Sequence, residues 1–185
     1  MYYIVQPSKQ VTPERFSAFE EDIKTNPNNP LLIFLAGSIQ PDKPIPWHEP
    51  TAHAIMRKIN KLPNHLDFTV YFINPTNNTE YTPEITDKQI NWEQNMINKS
   101  DYILMYLDPD SKSPISLLEF GENIASGKLF VSCSKRFHGY PNIRSVATIK
   151  NQENHVFSSL VEAEAALVEQ ISKQKYQFNA RLFWQ

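Results

Sequence analysis

The sequence has few of the residues on which disulfide, metal and cofactor sites are usually built. Its 185 residues include one cysteine, Cys133, which excludes a disulfide framework and a cysteine-rich metal centre. The four glycines form neither a GxGxxG fingerprint nor a P-loop, and the five histidines include no HExxH pair. We therefore expect no resident metal and no nucleotide cofactor.

Long apolar runs and clustered charge are also missing. The formal net charge is −2 and no run of Lys or Arg stands out, which argues against a nucleic-acid partner. No apolar run approaches the length that crosses a bilayer, and the N-terminus lacks the charged start and apolar core of a signal peptide. We expect a protein without a membrane partner, and the single cysteine fits a reducing, cytoplasmic compartment.

Apolar runs alternate with helical patterns along most of the chain, which is typical of βαβ units and a parallel sheet. The pattern predicts strands at 31–36, 67–73, 101–107, 129–133 and 145–149, and helices near 50–62, 85–98, 113–127 and 158–173. This predicts an α/β three-layer sandwich with a five-stranded parallel sheet of flavodoxin or Rossmann-like type.

Residues 1–30 lie outside this repeat, and we interpret them as an N-terminal extension to a domain of residues 31–185. The extension has a candidate edge strand at Tyr2–Val5 and a candidate helix start near Thr12. At the other end, the aromatic segment Phe178–Trp184 is expected to pack on this subunit or on a neighbouring copy.

The segment Ser113–Lys128 follows an apolar strand pattern and indicates a short loop followed by a helix. Ser113 suits the N-cap and Pro114 the first helical position, and Gly127 is a candidate C-cap. Glu119 then lies about one and a half turns into the helix, near the edge where open α/β sheets bind ligands. It is a candidate nucleophile or acid–base group, the alternative being a solvated helix glutamate.

A second carboxylate, Glu93, shares a helix face with Ile90 and Ile97. In such an apolar stripe it is either at the rim of a site or paired with a cation, and burial would raise its pKa as a general acid requires. Two carboxylates in successive βαβ units, without a metal motif, fit glycosyl chemistry.

Smaller signals lie where predicted strands end. Gly37 and Ser38 form a small-residue turn that admits a ligand close to backbone N–H groups. Trp47, Asn74 and Asp108 carry aromatic, amide and carboxylate groups that suit a nucleobase. The alternatives are a packed tryptophan and simple turns.

Three segments, Phe34–Ile39, Glu93–Asp101 and Leu118–Lys128, resemble the nucleoside 2-deoxyribosyltransferase superfamily, which also contains 2′-deoxynucleoside 5′-phosphate N-hydrolases. The third segment has the spacing Glu-x-Gly, followed by an alanine and then Gly-Lys. The resemblance spans about residues 31–146 and implies the fold already predicted from the alternation of elements.

The resemblance also implies roles for individual residues. Glu119 would be the nucleophile that takes the (deoxy)ribosyl group, and Glu93 would contact the base. Ser113 matches a serine with which the monophosphate hydrolases bind phosphate, and Ser116 lies at the same helix N-terminus. Phe34 departs from the usual family tyrosine, which orients the nucleophile.

The function so implied is cleavage of an N-glycosidic bond, or (deoxy)ribosyl transfer, on nucleosides or nucleoside 5′-monophosphates. Two alternatives remain open: a nucleotide-sensing domain that has lost turnover, and an NAD glycohydrolase. Because related enzymes build their sites across subunits, the resemblance implies a homodimer or a higher homo-oligomer. Hydrolysis or transfer, the base, and ribose or deoxyribose are not distinguished.

Overall fold

The structure is a computed structural model, and it describes residues 2–6, 30–39, 46–62, 69–76 and 83–182. Within these ranges it is an α/β protein with a mostly parallel six-stranded sheet and flanking helices. The strands are β1 (Tyr2–Val5), β2 (Leu31–Gly37), β3 (Val70–Ile73), β4 (Tyr102–Leu107), β5 (Leu129–Cys133) and β6 (Val156–Phe157). Their order across the sheet is β1-β3-β2-β4-β5-β6.

Five α-helices fall in the same ranges: α1 (His48–Ile59), α2 (Pro83–Lys99), α3 (Pro114–Asn123), α4 (Tyr140–Ile149) and α5 (Leu160–Leu182). Short 3-10 turns follow α3 at Ile124–Ser126 and precede β6 at Glu153–His155. No helix in the described part of the chain is long and apolar enough to cross a membrane.

The chain divides into two compact units, of which the first comprises residues 1–36 and 67–103. In this unit β3 pairs in parallel with both β1 and β2, so that Val70 stands opposite Tyr2 on one side and Leu31 on the other. Every residue of β3 is buried, as expected for a strand of a parallel sheet covered on both faces.

The second unit comprises residues 37–66 and 104–185. Here β5 is buried along its whole length, and α5 packs against it and against α1. Both helices bury apolar side chains at helical spacing, including Ile55 and Ile59 of α1 and Leu167 and Ile171 of α5. A partly buried ion pair joins the two helices, with Lys58 Nζ 2.5 Å from Glu164 Oε2.

The α/β fold and four of the five predicted strands are confirmed, with small shifts at their ends. The fifth prediction is wrong, because residues 145–149 belong to α4. The run Val146–Ile149 contains three β-branched residues, as a strand often does. However, Pro141 in the first turn and the i, i+4 pair of buried Ile143 and Ala147 suit a one-sided helix. The sheet ends instead at β6, where Val156 pairs with Val131 in parallel.

The candidate edge strand Tyr2–Val5 is confirmed as β1 and provides the sixth strand. The predicted helices are present as α1, α2, α3 and α5, although α5 extends beyond the predicted end to Leu182. The candidate helix start near Thr12 and the side chains of the aromatic C-terminal segment lie outside the described residues. The division into an extension and a main domain stays a prediction.

Candidate functional site

Glu119 lies in the middle of α3 with its side chain turned inward. It is 8% exposed, whereas Ile115 and Leu118 of the same helix are 63% and 66% exposed. Burial of a carboxylate beside exposed aliphatic side chains reverses the usual distribution, because transfer of a charge out of water is unfavourable. A solvated helix glutamate, the alternative reading of the sequence, does not describe this residue.

Contacts between neighbouring residues accompany the end of the helix that holds Glu119. The side-chain amide of Asn123 donates to the backbone oxygen of Glu119 over 2.9 Å. After the 3-10 turn, Gly127 takes a left-handed conformation with φ of 73°, which glycine adopts without a Cβ clash. The α-helix thus ends earlier than predicted, at Asn123 with Ile124 as its C-cap, and Gly127 caps the 3-10 turn that follows.

Ser113 precedes α3 but does not cap it with its side chain. Its backbone is left-handed, with φ of 45° and ψ of 49°, and its hydroxyl makes no capping hydrogen bond. The N-cap position was predicted correctly and the capping interaction was not, because the hydroxyl has other partners. A left-handed serine costs about 1–3 kcal/mol, which the surrounding contacts must offset.

Those partners form what we call the serine chain, made of Ser38, Ser113 and Ser111. The Oγ of Ser113 donates to the Oγ of Ser111 over 2.9 Å, and the Oγ atoms of Ser38 and Ser113 are 2.5 Å apart. Because Ser113 has one hydroxyl proton, Ser38 is the donor in the shorter bond. The amide of Asp108 donates to Ser38 Oγ over 2.8 Å, so all the bonds of the chain run in one direction and reinforce one another.

Gly37 allows Ser38 to reach this position. The Ser38 amide donates to the carbonyl of Tyr106 over 2.8 Å. With φ of 132°, a Cβ atom on Gly37 would lie 2.1 Å from that same carbonyl oxygen. Only glycine tolerates so close an approach of two backbone segments.

Trp47, the N-cap residue of α1, contacts the same turn. Its indole Nε1 donates to the carbonyl of Ser38 over 3.2 Å. Its ring stacks on the His48 ring with a centroid distance of 4.0 Å and lies 5.5 Å from the Tyr106 ring. Trp47 is buried, and its ring packs against the side chains of His48 and Tyr106.

His48 was not among the predicted site residues, although it directly follows Trp47 in the sequence. Burial lowers its pKa to about 4, so the imidazole is neutral at pH 7. Its Nε2 is buried and has no hydrogen-bond partner among the described residues.

Two loops after neighbouring strands support the serine chain. In the loop of residues 108–113, Asp108 Oδ1 accepts a hydrogen bond of 2.7 Å from the backbone amide of Asp110, which closes an Asx turn. Residues 134–139 contact this loop through Arg136, 3.3 Å from Asp110 Oδ1, and through His138 Nε2, 3.2 Å from the Lys112 carbonyl. No local sequence signal pointed to Arg136, His138 or Ser111, since each contributes through the fold.

Three predicted residues lie in the first unit. Phe34 is fully buried in β2. Asn74 is also buried, and its Oδ1 accepts both the amide and the hydroxyl of Thr76, over 3.0 and 2.8 Å. Glu93 is half-buried on α2, where Gln89 donates to its Oε1 over 2.7 Å. Burial raises the pKa of Glu93, and the bond from Gln89 opposes that rise to a smaller extent.

The remaining predicted residue, Ser116, is buried in the first turn of α3 at 5% exposure. Hydrogen bonds of the second unit thus bring together Ser38, Trp47, Asp108 and Ser113 beside Gly37, and the adjoining helix places Ser116 and Glu119 on its inner face. No cluster of three or more His, Cys, Asp or Glu within the described ranges is arranged to hold a metal ion.

Comparison with protein families matches residues 30–137, more than half of the chain, to the family described as nucleoside 2-deoxyribosyltransferase like. The matched range contains every site residue predicted from the sequence. Comparison with curated proteins finds no match.

Proposed function

The chain belongs to the nucleoside 2-deoxyribosyltransferase-like family, and from that membership we propose that it acts on the N-glycosidic bond of a nucleoside or nucleoside 5′-monophosphate. Glu119 is the proposed nucleophile. The observation that supports this role is the inverted burial of α3, where Glu119 and Ser116 are inside while Ile115 and Leu118 are exposed. The same face buries Phe120, so a carboxylate and a hydroxyl lie beside an aromatic ring where a helix selected for stability alone would present apolar side chains.

In the proposed reaction a carboxylate oxygen of Glu119 attacks C1′ of the sugar. The bond from C1′ to the base nitrogen breaks, and its electron pair leaves with the base, which takes up one proton. Glu93 is the proposed source of that proton, because its raised pKa keeps it protonated closer to neutral pH. Water then attacks C1′, gives one proton to the Glu93 carboxylate and releases Glu119 as the carboxylate; in a transfer reaction a second base attacks and loses its N–H proton in the same way.

The serine chain supports a substrate that carries a phosphate. Ser38, Ser113 and Ser116 offer hydroxyl groups beside the N-terminus of α3, where the helix dipole favours an anion. Hydroxyl protons can turn toward a phosphate oxygen without movement of the backbone. Phe34, Gly37, Trp47, Asn74 and Asp108 are proposed to shape the rest of the substrate site.

The test is release of free base from a panel of deoxyribo- and ribonucleosides and their 5′-monophosphates, with and without an acceptor base. Glu119→Gln should lower kcat by at least about a thousand-fold, as loss of a nucleophile does. Glu122→Gln is the matched control, because Glu122 is an exposed glutamate one turn further along the same helix. Mass spectrometry of quenched wild-type protein should detect a glycosyl group on Glu119.

Two results would contradict the proposal. One is the absence of base release from every substrate in the panel. The other is full activity of Glu119→Gln, which would remove the carboxylate from the chemistry.

Phe34 favours a second candidate, a nucleotide-binding domain without turnover. Its fully buried phenyl ring has no hydroxyl group and cannot make the hydrogen bond of the usual family tyrosine. Thermal-shift measurements distinguish the two candidates. A monophosphate that stabilises wild type and Glu119→Ala equally, without product, would favour the binding domain.

A further inference from the structure

The side chain of Gln89 joins two parts of the first unit. Its amide nitrogen Nε2 lies 2.7 Å from Glu93 Oε1, one helical turn further along α2, and 3.3 Å from the carbonyl of Pro75. Pro75 belongs to the loop that follows β3, so this one amide group contacts both a helix and a strand-end loop. The contact with Glu93 is an i, i+4 pair of the helix, whereas the contact with Pro75 does not follow from the helical pattern, because Pro75 is 14 residues away.

Both partners of Gln89 accept hydrogen bonds. A carbonyl oxygen has no proton, and an ionised carboxylate has none either. The NH2 group must therefore face them, since the opposite orientation would place the amide oxygen against two other oxygens. A glutamate at position 89 would have nearly the same shape and would put an oxygen in that place.

The loop that Gln89 contacts is itself held by a network of hydrogen bonds. Asn74 Oδ1 accepts a hydrogen bond from the backbone amide of Thr76, and the backbone amide of Asn74 donates to the Val5 carbonyl over 2.8 Å. Gln6 Nε2 donates to Thr76 Oγ1 over 3.1 Å. The Pro75 carbonyl is thus a fixed point, and a side chain bonded to it gains a defined orientation.

We propose that Gln89 is a positioning residue that fixes the carboxylate of Glu93 against the loop after β3. The part of this inference that concerns catalysis rests on the proposed function; the geometry does not. Of the two oxygens of Glu93, Oε1 is held by Gln89, which sets the direction in which Oε2 points. Such a fixed rotamer is what a proton donor needs, because misplacement by about 1 Å lowers rates strongly.

The proposal has an electrostatic consequence that can be measured without substrate. The hydrogen bond from Gln89 favours the ionised form of Glu93, whereas burial favours the protonated form. Burial and this hydrogen bond are the two causes that shift the pKa of Glu93 among the described residues. Loss of the donor therefore raises the pKa of Glu93 further.

The experiment compares three variants with the wild-type protein. Gln89→Met keeps the length of the side chain and removes the donor, and Gln89→Glu keeps the shape and replaces the donor with an acceptor. Asn91→Met is the control, because Asn91 is exposed two residues along the same helix. The readout is the titration of the Glu93 carboxyl carbon by NMR, with its signal assigned by its loss in Glu93→Gln.

We expect the pH midpoint of the Glu93 titration to rise in Gln89→Met and to rise further in Gln89→Glu. The same midpoint should stay unchanged in Asn91→Met. With an active substrate, kcat should fall about ten- to a hundred-fold in Gln89→Met, with a much smaller change in KM. An unchanged midpoint in both Gln89 variants would overturn the proposal, as would full kcat in Gln89→Met.

The design separates this inference from the proposed function. A shifted midpoint in a protein that releases no base from any substrate supports the role of Gln89 and refutes the proposed function. An active enzyme in which Glu93 titrates alike in all variants supports the proposed function and refutes the role of Gln89.

Discussion

Gly37→Ala should destabilise this protein more than a change of one methyl group ordinarily does. The added Cβ would lie 2.1 Å from the carbonyl oxygen of Tyr106 and 2.7 Å from its amide nitrogen. Both are backbone atoms of β4, so no side chain can rotate away to make room. The hydrogen bond from the Ser38 amide to the same carbonyl, 2.8 Å long, would have to lengthen.

Two effects set the size of the loss in the free energy of unfolding. A residue other than glycine held at a φ of 132° is strained by about 1–3 kcal/mol. Overpacking against a rigid neighbour adds about 1–3 kcal/mol. Together they predict a loss of about 2–6 kcal/mol, a large part of the stability of a typical domain.

Gly121→Ala is the matched control, since the same change is made at a glycine with open surroundings. Gly121 lies within α3, and a Cβ there meets no atom within 4 Å. Alanine is a better helix former than glycine, so this variant should gain about 0.5–1 kcal/mol. Urea unfolding followed by circular dichroism measures both changes, with the denaturant slope compared to confirm a common unfolded state.

A free energy of unfolding for Gly37→Ala within about 0.5 kcal/mol of the wild-type value, the size of an ordinary surface substitution, would refute this prediction. That result would mean that the chain after β2 shifts freely and that the contact with Tyr106 does not position Ser38. A loss of similar size in Gly121→Ala would show instead that the assay reports a general intolerance of substitution.

Two further predictions concern buried ionisable side chains. Lys58→Met leaves the carboxylate of Glu164 buried without its ammonium partner. The free energy of unfolding should therefore fall by about 1–3 kcal/mol. This loss is smaller than for a fully buried pair, because Lys58 is about one-third exposed to solvent. The double variant with Glu164→Leu should recover most of that loss, and a neutral effect of Lys58→Met would contradict the argument. Because burial lowers the pKa of His48 from 6.5 to about 4, the unfolded chain binds a proton in this interval that the folded protein does not. Stability present above pH 6.5 should therefore fall by about 3 kcal/mol on acidification to pH 4, and His48→Phe should remove that part of the slope; equal slopes would refute it.

Strands buried on both faces were predicted best. Leu31–Gly37 and Leu129–Cys133 are apolar runs interrupted only by Ser132, and burial on both faces of a parallel sheet favours such runs. The failure at residues 145–149 has the same origin, since a short apolar run carries no period that separates strand from helix. The true last strand, Val156–Phe157, is two residues long and only partly buried, which is too little for a pattern.

The candidate site was predicted in part. The position of Glu119 on a helix after a strand followed from local patterns, and so did the helix start at Pro114. Its burial did not, because Ile115 and Leu118 are more apolar than Glu119 and yet are exposed. The role of Ser113 was likewise misread as capping, since a serine before a helix usually bonds to that helix.

The sequence by itself determined the alternation of strands and helices, the absence of cofactor motifs and the candidate carboxylates, because these depend on residue type and short-range period. The tertiary structure decided which polar groups meet. Ser38 and Ser113 are 75 residues apart and share a hydrogen bond, and Gln89 reaches back 14 residues to Pro75. Hydrogen bonds are short-range and directional, so such pairs exist only once backbone segments distant in sequence have been brought within about 3 Å. Spacing along the chain does not encode that approach.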